Sequence, residues 1–468
     1  MGTILRGGTI ITSDKTYISD LRIEDEKIVE IGNNLEINGD KVIDATGKIV
    51  IPGGIDTHTH FDMNAGSITT ADNFETGTRA AIAGGTTTIL DFAEANEGEN
   101  LLQGVEAYHK KASGNCYCDY GFHMTITCLN TDTFNHMEKL ISDGIVSFKM
   151  YMAYDGMKVD DGTIYKVLKK AKDLGCIVEF HCENGDLLDV LIEENIQNGN
   201  LEPKYHPLTR PNIVEKESVS RLADITKLSN SKSYVVHLSC KESLETVKMA
   251  REKNIDMIVE TCPQYLLLED NLYNKDKFEG AKYVMSPPLR KKEDINYLWE
   301  GLSSGDIQTV GTDHCSFNFK GQKDLGIDDF SKIPNGAPGV EHRLALLYTY
   351  GVLENRISAN KFVEVTSTNA AKIFGMYPKK GEIAVGSDAD IVILNVNKEE
   401  TISYKTQKQN VDYTPYEGFK IKCKVEDVFL RGNHVVQSCN VKEHPTGQYI
   451  KRKLLNNAGG NKNDGYTY

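Results

Sequence analysis

Six residues spread over most of the chain have the types and settings of one metal-binding constellation. His58 and His60 stand in GGIDTHTHFD, Lys149 in VSFKMYMAY, His181 in IVEFHCEN, His237 in SYVVHLS and Asp313 in TVGTDHCS. Each closes, or just follows, a short apolar run rich in Val, Ile or Phe. Imidazoles and a carboxylate hold zinc and can leave one coordination position open. Alternate strand residues face the same side, so His58 and His60 can grip one ion. Singly, each residue has an ordinary explanation: a chance H-x-H pair, a polar core histidine, an aspartate capping a helix. Their joint occurrence at strand ends points to metal-dependent hydrolysis. His314 is expected to point away from its neighbour Asp313.

Lys149 is the unusual member. An ammonium beside two divalent cations is disfavoured by repulsion and by burial, and a rim lysine can instead snorkel to solvent. The functional alternative is a neutral amine that has captured carbon dioxide. The resulting carbamate is an anion with two oxygens. It can bridge two ions, which together lower the pKa of a shared hydroxide.

Such residues need strands to hold them. From about residue 50 to 315, eight apolar runs (KIVIPGGIDTHTH, TTTILDF, YGFHMTIT, VSFKMYMA, CIVEFHC, SYVVHLS, DMIVETCPQYL, IQTVGTDH) alternate with seven segments of helical period. In NFETGTRAAIAGG an Asn can cap the start and glycines close the end. In DDGTIYKVLKKAKDLG the residues Ile164, Val167, Leu168, Ala171 and Leu174 line one stripe that Gly175 ends. Strict alternation predicts right-handed βαβ units closing into a (β/α)8 TIM barrel, of class α/β. Three long inserts follow His181, Gln264 and His314, on the face where barrels carry active sites.

Residues 1–51 and 381–440 read as period-two strands, each too short to bury a core alone. They are expected to form one small β-sandwich beside a barrel of residues 52–380. Residues 441–468 read as an extension, with the Gly/Asn-rich LLNNAGGNKNDGYTY expected to be a mobile tail.

The 468 residues are 40% hydrophobic and 26% charged, an ordinary globular balance. A net charge of -14 argues against nucleic acid and anionic membranes. The start MGTILRGGTIITSDK has no signal-peptide pattern, and no run is long enough to span a bilayer. Ten dispersed cysteines, Cys128, Cys176 and Cys262 among them, read as reduced core thiols of a cytoplasmic protein. The Cys116–Cys118 pair lacks a second pair with which to bind metal.

The chain resembles cyclic amidohydrolases of the dihydropyrimidinase and hydantoinase group, phenylhydantoinase-like members above all. The resemblance covers nearly the whole length, through PGGIDTHTHFD, GTTTILDF, SFKMYMAY, VHLS, ETCPQYLLL, SPPLR, TDHC, PNGAPGVEHR and DYTPYEGF. It implies ring opening of a dihydropyrimidine or 5-substituted hydantoin to an N-carbamoyl amino acid. It implies two divalent ions, zinc, with a hydroxide between them. One ion falls to His58, His60, Lys149 and Asp313, the other to Lys149, His181 and His237, with Lys149 carboxylated. It implies that Tyr154 bonds the substrate carbonyl and that Ser286 and Asn335 hold the ring's amide edge. Asp313 would shuttle the proton, and a homotetramer is expected. Related enzymes for carboxylate-bearing rings (dihydroorotases) tend to carry Arg two residues after H-x-H, and allantoinases Asn. Asp62 stands there, which speaks against both of these alternatives, although they would use the same metal core. Animal relatives acting as cytoskeletal scaffolds have lost metal ligands, whereas all six are kept here. Met63, Phe92, Met152 and Phe317 are candidates to line a pocket for a ring substituent.

Overall fold

The eight apolar runs become strands buried along nearly their whole length, as a sheet covered on both faces requires. In the computed structural model, which describes residues 2–454, they are Gly54–Thr59, Thr86–Ala93, Asp119–Thr125, Ser147–Tyr151, Ile177–His181, Lys232–Val235, Asp256–Thr261 and Thr309–Val310. They lie side by side in chain order, all parallel. The eighth returns to the first. The His60 amide donates to the carbonyl of His314 at 2.9 Å, and the His314 amide to that of His58 at 3.3 Å. The sheet thereby closes as a TIM barrel.

The intervening helices start and stop where the sequence signals them. Asn73 caps Phe74–Ala83 in a reciprocal capping box with Thr76, and Gly84 follows its end. Asp160 caps Asp161–Leu174, and Gly175 closes it in the left-handed region at φ 73°. Ile164, Val167, Leu168 and Ala171 are its buried stripe.

The two chain ends share one nine-stranded sheet. Ile49–Pro52 from the first end pairs antiparallel with Ile391–Asn395 from the second. Leu5, Ile10, Leu21, Val50, Ile391, Ile393 and Phe429 pack together as a separate core. Only Gly53 separates Pro52 from the first barrel strand, so this sheet anchors the strand that carries His58.

A buried ionic hub joins the parts. Asp119, at the base of the third barrel strand, takes Lys380 Nζ at 2.8 Å, the Arg431 guanidinium and the Gln448 amide at 2.9 Å. Residues 447–453 run along the barrel base. Ile450 N donates to Tyr120 O at 2.8 Å, and the buried Arg452 donates to Ser147 Oγ at 2.8 Å. The expected tail beyond Leu454 lies outside the described residues. No helix among the described residues is long and apolar enough to cross a membrane. All ten cysteines are free thiols, and most are buried. Cys128 is a correction: it sits exposed just past the third strand, where the apolar run has left the barrel.

Candidate active site

The upper rim of the barrel gathers the six residues. His58 is the last residue but one of strand one, Lys149 stands in the middle of strand four and His181 ends strand five, whereas His60, His237 and Asp313 sit just beyond their strands. His237, Asp313 and Tyr154 adopt left-handed backbone, at φ 39°, 51° and 74°. Such conformations are costly for residues with a Cβ and cluster at functional sites. Here they turn side chains back over the barrel mouth after the strand has ended.

His58, His60 and Asp313 bring one ligand atom each within 4.8 Å of one another. Asp313 Oδ1 lies 3.2 Å from Nε2 of both histidines. Burial alone would raise the Asp313 carboxyl, but the imidazoles outweigh it and hold it well below its ordinary range. On the other side, His181 Nδ1 and His237 Nε2 meet at 2.9 Å. Between the two groups lies Lys149, 1% exposed, its Nζ without a hydrogen-bond partner and 4.8 Å from the Phe92 ring centre. Burial lowers the amine to about 8. An isolated buried cation is costly, so an amine this poor in partners is suited to reaction in its neutral form. Nδ1 of both His60 and His237 is also buried without a partner. The donor set fits divalent cations: nitrogen and carboxylate ligands converge from two sides on an amine able to become an anion.

A second layer of residues fixes the imidazoles. Glu260 Oε1 accepts from His58 Nδ1 at 2.7 Å, while its Oε2 accepts from Thr57 and Tyr234 hydroxyls at 2.5 and 3.1 Å. His58 Nε2 is thereby left for a ligand role. Glu183 does the same for His181, taking Nε2 at 2.8 Å and Arg210 Nη1 at 2.6 Å. Burial opposes the Glu183 charge, yet Arg210 brings it down to about 2. A Cβ on Gly311 would stand 2.7 Å from Glu260 Oε2 and 3.0 Å from His58 Cβ, so only glycine admits this pair.

Above these groups opens a cavity of about 560 Å3, lined in part by Tyr154, Ser286, Asn335, Met63, Phe317 and Glu94. Ser286 Oγ and Asn335 Oδ1 are buried without partners beside it. Their two loops are tied together by the buried Lys323, whose Nζ donates to Val284 O at 3.0 Å and Pro334 O at 2.8 Å.

The amidohydrolase family matches residues 49–435. A D-hydantoinase of Geobacillus stearothermophilus is 48% identical over 97% of this chain and 97% of its own. The crystal structure of a dihydropyrimidinase from Brevibacillus agri superposes with a TM-score of 0.96 at 46% identity, covering 97% of this chain and 99% of that one. This chain belongs to the hydantoinase and dihydropyrimidinase group of the amidohydrolase family. An L-hydantoinase (dihydropyrimidinase) from Arthrobacter aurescens is similar too, with TM-score 0.88 at 28% identity over 96% of this chain and 99% of that one.

Some expectations for this amidohydrolase need correction. Of the pocket candidates, Met63 and Phe317 line the cavity. Phe92 lies beneath it, stacked on His60 at 5.0 Å and on His123 at 4.8 Å. Met152 is buried in the main core. Both are apolar residues at a strand end, where the pleat sends alternate side chains into the barrel or into its helical shell rather than upward. Ile68, Met157 and Ile333 line the cavity in their place. His314 does point away, giving Nε2 to Asp72 at 3.0 Å and taking the Gly339 amide on Nδ1 at 3.1 Å. Asp62 is structural, its carboxylate accepting from the Phe74 amide at 3.1 Å. Glu260, Glu183, Arg210, Gly311 and Lys323 were not singled out by the sequence. Only the carboxylates within apolar runs, in IVETC and FHCEN, gave any signal.

Proposed function

We propose that this protein hydrolyses a cyclic amide, a dihydropyrimidine or a 5-substituted hydantoin, to an N-carbamoyl amino acid. The observation that carries this reading is the unpartnered Lys149 amine between two ligand groups on the floor of one cavity. Two divalent ions, zinc by the chemistry of the donors, would be held by His58, His60 and Asp313 on one side and His181 and His237 on the other, with carboxylated Lys149 common to both. When bound, they would supply a hydroxide at neutral pH and polarise the ring carbonyl.

The protein's own groups do the rest. Ser286 and Asn335 hold the amide edge of the ring, and Tyr154 donates its hydroxyl to the carbonyl oxygen as negative charge develops there. Burial raises the Tyr154 hydroxyl, so it stays a donor across the working range. Asp313, held ionised, accepts the proton of the attacking water and returns it to the leaving ring nitrogen. The inserts after strands seven and eight supply Ser286, Phe317, Leu325 and Ile333 to the cavity wall. A homotetramer in the cytoplasm belongs to the same proposal, supported by family likeness and by ten unpaired thiols.

Kinetics of purified protein on dihydrouracil, hydantoin, phenylhydantoin and allantoin, with metal content measured on the same sample, test the reading. Turnover of the first three with about two ions per chain is expected. Metal-replete protein that opens none of these rings refutes it.

A further inference from the structure

Glu94 is a charged group that the proposed mechanism does not use. It follows the second barrel strand directly and lines the cavity beside Lys149 and Tyr151. Among the described residues its carboxylate makes no hydrogen bond and no ion pair. The nearby Lys111 gives its amine to the Asp62 carbonyl at 2.6 Å instead. Glu94 is also outside the ligand grouping of His58, His60 and Asp313.

Glu94 is only partly buried, so water can serve its carboxylate while the cavity is open, but a substrate that covers it must supply a partner in the water's place. Burial raises it to about 7, and the charges of Lys111 and Lys149 pull the other way. The layout of the rim says what meets it. The residues assigned to the ring come from strand four and from the inserts after strands seven and eight. Of the rest of the lining, Met157 follows strand four and Leu325, Lys332 and Ile333 belong to the insert after strand eight, while Glu94 after strand two and Asn64, Ala65 and Ile68 of the hairpin after strand one form a side that none of the ring-holding residues occupies. Once the ring is seated, its substituent is the part left to face that side. The hairpin offers the apolar Ile68 for the stem of a substituent, and Glu94 offers an acceptor for its end.

We infer that Glu94 selects rings whose substituent ends in N–H donors, an ammonium or a ureido group. This inference rests on the ring-opening reading above. A site built around a hydrogen-bonding group rejects an analogue that leaves it unpaired, which is the physical basis of the preference.

The test uses metal-replete enzyme and three 5-alkylhydantoins of equal chain length, ending in ammonium, ureido or methyl. For the wild type, kcat/KM is expected to be roughly tenfold or more higher for the two donor-ended rings than for the methyl-ended one. Glu94→Leu should remove both preferences. Glu94→Gln should remove the ammonium preference and keep part of the ureido one, because an amide oxygen still accepts. Ratios within each variant cancel losses from folding or metal content. Ratios that are equal in wild type and Glu94→Leu overturn the inference and leave ring opening standing. If the wild type opens none of the three, ring opening itself fails and the inference falls with it.

Discussion

Nδ1 of His58 lies 2.7 Å from the Glu260 carboxylate, across the barrel and 202 residues away in sequence. Burial would raise Glu260, but the His58 imidazole outweighs this and keeps it ionised. The carboxylate therefore accepts, Nδ1 keeps its hydrogen, and Nε2 is the nitrogen left to bind an ion once its proton is displaced. Glu260→Gln should lower metal affinity about 10- to 100-fold, with the fold intact. Competitive chelator titration followed by elemental analysis measures this. Unchanged affinity would reduce Glu260 to a packing residue.

Lys149→Ala removes the group common to both ligand sets. Activity should vanish and the ions should be lost, with only a small change in melting temperature. Near-wild-type turnover by purified Lys149→Ala would remove the carbamate from the mechanism. Tyr154→Phe is milder, since one donor to the oxyanion is lost. Its kcat should fall roughly a hundredfold while metal content stays the same.

The ion-free site binds protons that metal must displace. Burial alone would lower His58, yet Asp313 and Glu260 outweigh it and raise the imidazole to about 9. Zinc added to chelated protein between pH 6.5 and about 9 should release protons and acidify a weakly buffered solution. The same shift bears on stability. A folded value above the ordinary 6.5 means that the His58 contribution is complete below pH 6.5 and is lost as pH rises through about 9. The stability gap between ion-free wild type and His58→Asn should shrink over that window in urea denaturation. A gap independent of pH would contradict the assignment.

Asp119 is a second buried charge, and its role is structural. Burial opposes its ionisation, but Lys380 and Arg431 outweigh this and lower its pKa below 3.8. Asp119→Asn leaves two buried cations short of a partner and should cost about 3–5 kcal/mol. Its contribution is present above the ordinary carboxylate range and lost as pH falls through the lowered value. Urea denaturation at neutral pH measures the loss. A cost within experimental error would mean that the hub does not hold the parts together.

Lys323→Met cuts the tie between the Ser286 and Asn335 loops. KM for a cyclic amide should rise with little change in kcat or bound metal, because the residues that would hold the ions lie outside the two loops that this lysine ties. A fall in kcat with KM unchanged would show that the two loops do not hold the ring.

The alternating runs determine the barrel by themselves, because strand and helix periods depend only on local side-chain pattern. Ligand types at strand ends were legible for the same reason: strand order equals chain order, so every strand end reaches one rim. The shared sheet of the chain ends was foreseen as a joint domain, though not the pairing of Ile49–Pro52 with Ile391–Asn395. Direction and register across the barrel were not legible. Phe92 and Met152 sit at strand ends like the ligands, yet the pleat turns them into the barrel or its shell. Glu260 meets His58 because closure of the barrel brings distant strands together, while Arg210 meets Glu183 and Lys323 spans two loops through the folding of the inserts. A sequence states which groups exist and on which face they emerge. Which atom of an imidazole is left free, and which carboxylate is left without a partner, is decided by packing among non-neighbours.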